Sequence, residues 1–361
     1  MINHPSIAHI DLAALVRNLN CVKKIVPRSK IFAMVKGNAY GHGAVEIAQA
    51  LAGRVGVFGV ACVSEAMQLY DAGIKTPIVV LKGFFDVADL EIIDRCHFET
   101  VIHNQEQLKI LAQTKLQHPL QVWLKIDTGM HRLGFSPEEV HDVYQKLMAN
   151  DLICKPLHLM THLSDADDIT KNKSNEQIAC FMNVTQGFGA GYCIANSSAI
   201  LNWEKARVEW VRPGITLYGA SPVAHLSSAK LGLTPVMTLV SRLLTIHNLK
   251  KGATVGYGSE WVCPCDMRVG IVDIGYADGY PRSAKTGTPV LLNGARSQLI
   301  GRVAMDMINI DLRNHPEAKI GDEIILWGKG LPIEEIAFSA STIPYELFCK
   351  LTSRVRFEYS N

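Results

Sequence analysis

The chain has 361 residues, 48% of them hydrophobic and 19% charged, with 36 Lys and Arg against 34 Asp and Glu. That size and composition suit a globular protein with a large core and exclude a disordered or fibrous chain. A net charge of +2 with no block of like charges excludes a strongly basic or acidic partner surface, so neither nucleic acid nor a membrane is an expected partner.

Nine scattered cysteines (Cys21, Cys62, Cys96, Cys154, Cys180, Cys193, Cys263, Cys265 and Cys349) are odd in number. They read as reduced thiols, not as a disulfide framework. The opening MINHPSIAHIDLAAL has no basic stretch followed by a long apolar one, so no signal peptide is expected. No window approaches the roughly 18 apolar residues of a membrane span. A cytoplasmic protein is the expectation.

In chain order, DLAALVRNLNCVKKI predicts a leading helix. Eight short, apolar, β-branched runs follow: KIFAMV near residue 30, GVFGVA near 56, PIVVL near 77, FETVI near 98, LQVWLKI near 120, KPLHLMT near 155, YCIA near 192 and RVEWV near 207. Each of the first seven is followed by a helical stretch, such as GAVEIAQALA after the first and NQEQLKILAQT after the fourth. This alternation predicts parallel strands joined by right-handed crossovers, and eight of them predict an α/β fold of the TIM-like (β/α)8 barrel type. An open, doubly wound sheet is the structural competitor.

Beyond about residue 232 the pattern changes. TPVMTLVSRLLTIHNLKKGATVGYGSEW, MRVGIVDIGYADGY, TPVLLNGARSQLIGRVAMDMINIDL and GDEIILWGKG are strand-rich and broken by turn residues, with one helical stretch at LPIEEIAFSA. The expected organisation is a barrel over 1–232 and a mainly β C-terminal domain over 233–361.

The segment AMVKGNAYGHG (33–43) closes the first barrel strand on Lys36. A lysine just past a strand is most simply a surface residue with its stem on apolar neighbours. Here it stands at the C-terminal end of a barrel strand, the face on which such barrels build active sites. Burial there lowers an amine's pKa and fits it for imine formation or proton transfer. Arg132 in KIDTGMHRLGF, His162 in MTHLSDADD, Ser197 in ANSSAIL and Arg212 in RPGI follow the fifth to eighth strands on the same face. A hydroxyl and glycine amides after strands seven and eight suit a phosphate. A reactive lysine after strand one with a phosphate site there is what pyridoxal phosphate needs. No metal is expected: His158 and His162 lie on a strand-like run, and Cys263 and Cys265 have no second pair.

Ten blocks carry a more specific resemblance: AHIDLAAL, AMVKGNAYGHG, LKIDTGMHRLGF, THLSDADD, ANSSAIL, VRPGITLYG, VGYGSEW, VDIGYADGYPR, GRVAMDM and GDEIILWG. In that order, from residue 8 to 328, they resemble the alanine racemase family. The resemblance implies two-base interconversion of L- and D-alanine with pyridoxal phosphate bound to Lys36, supplying D-alanine for peptidoglycan. Lys36 would be the base on the D-alanine face. Tyr257, from the partner subunit of a homodimer with shared active sites, would be the base on the L-alanine face. His162 would bridge Tyr257 and Arg212, and Arg212 would face the pyridine nitrogen. Tyr40, Ser197 and the backbone of Gly214 and Ile215 would hold the phosphate. Arg132 and the Met305 N–H would receive the substrate carboxylate, supported by Lys125, carbamylated in many members, and by Asp306. Tyr276, Arg282, Arg302 and Asp165 would line the entrance. Ser353 departs from the pattern, standing where some members place a phosphate-touching tyrosine. The alternatives are a broad-specificity amino-acid racemase and a non-catalytic pyridoxal-phosphate-binding protein.

Overall fold

The computed structural model describes residues 6–223 and 226–361. A short strand, β1 (Ile7–Asp11), runs directly into helix α1 (Leu12–Ile25). Asp11 caps that helix by accepting the Ala14 N–H at 2.6 Å, and Lys23 and Lys24 occupy the last turn, where cations complement the helix dipole.

Eight parallel strands then close into a barrel: β2 (Lys30–Met34), β3 (Val57–Val60), β4 (Ile78–Val80), β5 (Glu99–Ile102), β6 (Val122–Lys125), β7 (His158–Met160), β8 (Gly191–Asn196) and β9 (Trp210–Arg212). The Lys30–Trp210 and Ile31–Val211 pairs join first strand to last. Every expected strand is present, and a helix follows each of the first seven. Strands covered on both faces read as continuous apolar runs, and every residue of β3 and β4 is buried. Rings plug the barrel: Trp123 lies 5.0 Å from Phe32, 4.2 Å from His158 and 5.4 Å from Trp210. The interior is therefore a packed core, and chemistry is left to the rim.

The second half is mainly antiparallel: β10 (Met237–Leu249), the short pair β11 (Thr254–Val255) and β12 (Trp261–Val262), β13 (Met267–Val272), β14 (Pro289–Leu292), β15 (Ala295–Ile300), β16 (Ile308–Asp311), β17 (Glu323–Trp327) and β18 (Arg356–Ser360). Sheet order is β13-β16-β15-β14-β17-β10-β1-β18, and β13 also pairs with β10. The long β10 makes this possible. Its first half pairs with β17, its second with β13, and a register shift between Leu243 and Thr245 turns it from one to the other.

Two features depart from the sequence reading. The chain's first strand, β1, is inserted between β10 and β18, so residues ahead of the barrel belong to the second half's sheet. A second short helix, Pro344–Cys349, follows the expected one at Ile333–Ser339 and packs on the segment after β2. Among the described residues no helix is long and apolar enough to cross a membrane.

Candidate active site

The segment after β2 is wound the uncommon way. Gly37, Asn38, Ala39 and Tyr40 all have φ between 52° and 63°, the left-handed region. For a residue with a Cβ this costs about 1–2 kcal/mol each, so something must hold it. The Gly37 N–H donates to Glu65 at 2.8 Å, and the same carboxylate accepts the Ala61 N–H at 2.6 Å. Asn38 accepts the Ala44 N–H through its side chain and the Gly43 N–H through its carbonyl. His42 Nδ1 donates to the Tyr40 carbonyl at 2.9 Å. Burial pushes His42 down to about 4, so its ring is neutral. From the other half of the molecule, Tyr345 lies 5.8 Å from Tyr40, and Phe348 meets His42 edge-on at 4.6 Å. Gly41 lets this helix approach: a Cβ there would stand 2.2 Å from the Phe348 carbonyl oxygen.

Four cations share the rim. Lys125 ends β6, Arg212 ends β9, Lys36 lies two residues past β2, and Arg132 follows in the loop after β6. Burial, then Arg132 and Arg212, hold the Lys36 amine below its ordinary value, with Glu65 and Cys349 opposing. Burial, then Arg212, Arg132 and Lys36, bring Lys125 down to about 7. The Arg132 loop is pinned by Asp127 Oδ1, which accepts the N–H groups of Gly129, Met130 and His131 at 2.9–3.0 Å.

Arg212 is buried and heavily bonded. Nη1 donates to the Cys193 carbonyl and thiol, both at 2.9 Å. Nη2 donates to the carbonyls of Thr161 (2.5 Å) and Ile194 (2.9 Å), and stands 3.4 Å from His162 Nδ1. Because a guanidinium only donates, His162 Nδ1 is the acceptor and the ring proton sits on Nε2. Burial, then Arg212, holds His162 well below its ordinary value, so it stays neutral.

Tyr40, Ser197, Gly214 and Ile215 also come together. Ser197 Oγ accepts the Gly214 N–H at 2.8 Å and lies 3.2 Å from Thr216 Oγ1. A Cβ on Gly214 would stand 2.4 Å from the Tyr40 hydroxyl, so the missing side chain makes room for that phenol. The Gly214 N–H, expected at a phosphate, thus already has an acceptor in Ser197.

Most of the remaining predicted residues lie in the second half, while Asp165 stays with the barrel in the loop after β7. Tyr257 sits in the turn between β11 and β12, 69% exposed; Met305 is 52% exposed and Tyr276 40%. Arg282 is exposed, Arg302 pairs with Glu260, and Asp165 pairs with Lys171 at 2.9 Å. Backbone bonds from Tyr276 to Ala304 and from Ala277 to Met305 join the Tyr276 and Met305 segments. Arg354 ties them further, meeting Asp306 at 2.8 Å and buried Asp278 at 2.9 Å. Ser353 beside it is exposed. Among the described residues no hydrogen bond or ion pair joins Tyr257 or Met305 to the Lys36 cluster within one chain. Sequence reasoning missed Glu65, Cys193, Tyr345 and Arg354, which act through long-range contacts that no local spacing announces.

Two family models match in succession: the alanine racemase N-terminal domain over residues 10–222 and the alanine racemase C-terminal domain over 236–359. The chain belongs to the alanine racemase family. Curated family members include the alanine racemase of Coxiella burnetii, 50% identical over 355 residues covering 97% of each chain. That of Vibrio cholerae is 46% identical over 352 residues, 98% of this chain and 97% of its own. Among solved structures, a biosynthetic alanine racemase from Pseudomonas aeruginosa superposes with a TM-score of 0.96 at 40% identity, covering 99% of this chain and all of the other. An alanine racemase from Bartonella henselae with covalently bound pyridoxal phosphate matches with a TM-score of 0.89 at 28% identity, again over 99% of this chain and all of the other. The resemblance read from the ten blocks is thereby borne out, as is the barrel followed by a β-rich half.

Proposed function

We propose that the protein interconverts L- and D-alanine, with pyridoxal phosphate held covalently on Lys36, in homodimers whose sites draw residues from both chains. The observation that carries this reading is the Lys36 amine, held below its ordinary value at the barrel mouth by burial and by Arg132 and Arg212. An anionic cofactor fits this surrounding of cations, and the Tyr40 and Ser197 hydroxyls with the Gly214–Ile215 backbone would hold its phosphate. Arg212 would hold the ring nitrogen. Its Nη atoms are committed to the barrel, and among the described residues Nε is left as its uncommitted donor. Pyridoxal phosphate, when bound, draws electrons from the α-carbon of an amino acid and so acidifies its α-hydrogen.

The chain's own groups do the rest. Lys36 Nζ, poised by its lowered pKa, moves the proton on the D-alanine face. Tyr257 Oη of a second copy moves it on the L-alanine face. A phenol is a weak base near neutral pH. The His162 Nε2–H, with the Arg212 cation behind Nδ1, supplies the donor that a phenolate needs. Arg132 and the Met305 N–H take the substrate carboxylate. Lys125, at about 7, offers a neutral amine that can add carbon dioxide with loss of a proton. The resulting carbamate would pair with Arg132. Asp306, bonded to Arg354, steadies the Met305 segment, and Tyr276, Arg282, Arg302 and Asp165 line the way in. Exposure of Tyr257 and Met305 supports delivery of both to another copy. The D-alanine so made, in the cytoplasm, would feed peptidoglycan.

The test is incubation of the purified protein with pyridoxal phosphate and L-alanine in heavy water, followed by chiral amino-acid analysis. D-alanine deuterated at the α-carbon is expected. Protein that binds the cofactor yet forms no D-alanine would refute the reading.

A further inference from the structure

One acceptor of Arg212 is neither a backbone oxygen nor a member of the proposed proton path. Cys193, on β8, offers Nη1 two atoms at once, its carbonyl oxygen and its thiol, both at 2.9 Å. The side chain is fully buried, and Cys193 is held in register between Met160 of β7 and Trp210 of β9. We propose that Cys193 is a positioning residue for Arg212, pinning Nη1 from two sides so that the uncommitted Nε–H is presented to the cofactor's ring nitrogen. The inference rests on the cofactor site described above.

The balance of contacts explains why the thiol matters. Nη2 has three acceptors for two hydrogens: the Thr161 and Ile194 carbonyls and His162 Nδ1. Among the described residues Nη1 has only what Cys193 provides. With the thiol gone, one Nη1 hydrogen loses its acceptor while Nη2 keeps all of its own. A planar guanidinium held at Nη1 by the Cys193 carbonyl alone has more freedom to pivot, and Nε turns with it.

The acceptor's charge matters as well. A carboxylate at this place would neutralise the Arg212 cation, whose field helps to lower Lys36, Lys125 and His162. A buried thiol stays protonated and neutral, so it fixes the guanidinium without cancelling that field. Cys193 therefore supplies geometry and leaves the electrostatics of the rim intact. Its bland role, a small core residue filling space between strands, makes a different prediction.

The test compares two ligands on the cofactor-free protein: pyridoxal phosphate and a deaza analogue with a C–H in place of the ring nitrogen. Wild-type protein should prefer the natural cofactor. Cys193→Ala, which leaves space, and Cys193→Val, which fills it, both remove the acceptor; two variants guard against one failing to fold. Each should reduce the preference about three- to tenfold, the range of one hydrogen bond, by weakening the natural cofactor alone. Cys193→Ser, which keeps an acceptor, should restore most of it. Equal weakening of both ligands, or no change in either, would overturn the inference and leave Cys193 a packing residue. If wild-type protein binds the two ligands equally, the placement of Arg212 at the ring nitrogen falls, and the inference falls with it.

Discussion

Lys125 shows how one residue can carry a site's electrostatics. Its amine is brought from 10.5 to about 7 by burial and by three neighbouring cations. Between those values the unfolded chain holds the proton and the folded chain does not, so this lysine makes stability rise as pH rises from about 7 toward 10. Lys125→Met removes the group from both states. In buffer free of carbon dioxide, the excess stability of Lys125→Met over wild type should shrink between about pH 7 and 9.5, read by thermal unfolding of the cofactor-free protein. A difference that stays constant over that range would show that the amine is not depressed by its surroundings. The sequence pointed to Lys125 only through resemblance, because KIDTGMHRLGF does not show that Lys36 and Arg212 arrive beside it. Glu65 was hidden for the same reason. It stands 28 residues past Gly37, and only the crossover from β2 to the helix after β3 brings the two together.

Elements explain why the Lys36 segment can keep its left-handed winding. Its supports come from the helix after β3, which carries Glu65, and from helix Pro344–Cys349, which brings Tyr345 and Phe348. Gly41 is where that second helix comes closest, at φ 76° and with a virtual Cβ 2.2 Å from backbone oxygen. Gly41→Ala should therefore lower stability by about 2 kcal/mol or more in denaturant unfolding and weaken cofactor retention. Gly189→Ala, where a Cβ meets nothing within 4 Å, is the control and should be near neutral. Equal behaviour of the two would mean that the helix does not clamp the segment. The eight barrel strands were legible because buried parallel strands must be apolar throughout. Helix Pro344–Cys349 was not, because a six-residue run is too short to establish a helical period. β1 was missed because IAHID runs straight into a helix with no turn between them.

The whole molecule divides its chemistry between its halves. The barrel rim holds Lys36, Lys125, Arg132, His162 and Arg212, while the β-rich half carries Tyr257 and Met305 on its surface. The ten blocks named both groups, yet no spacing could reveal that, among the described residues, no hydrogen bond or ion pair joins Tyr257 or Met305 to the Lys36 cluster within one chain. The long β10 and the inserted β1 tie the two halves of each chain together, and in the proposed dimer a second copy would close the site. The most direct test mixes two inactive variants, Lys36→Ala and Tyr257→Phe, under conditions that let subunits exchange, and measures D-alanine formation from L-alanine. In a hybrid dimer one site carries both substitutions and the other carries neither. Random exchange of equal amounts should therefore restore about a quarter of the wild-type rate. A rate no greater than the sum of the two separate variants, with exchange verified, would contradict a site built from Lys36 of one chain and Tyr257 of another.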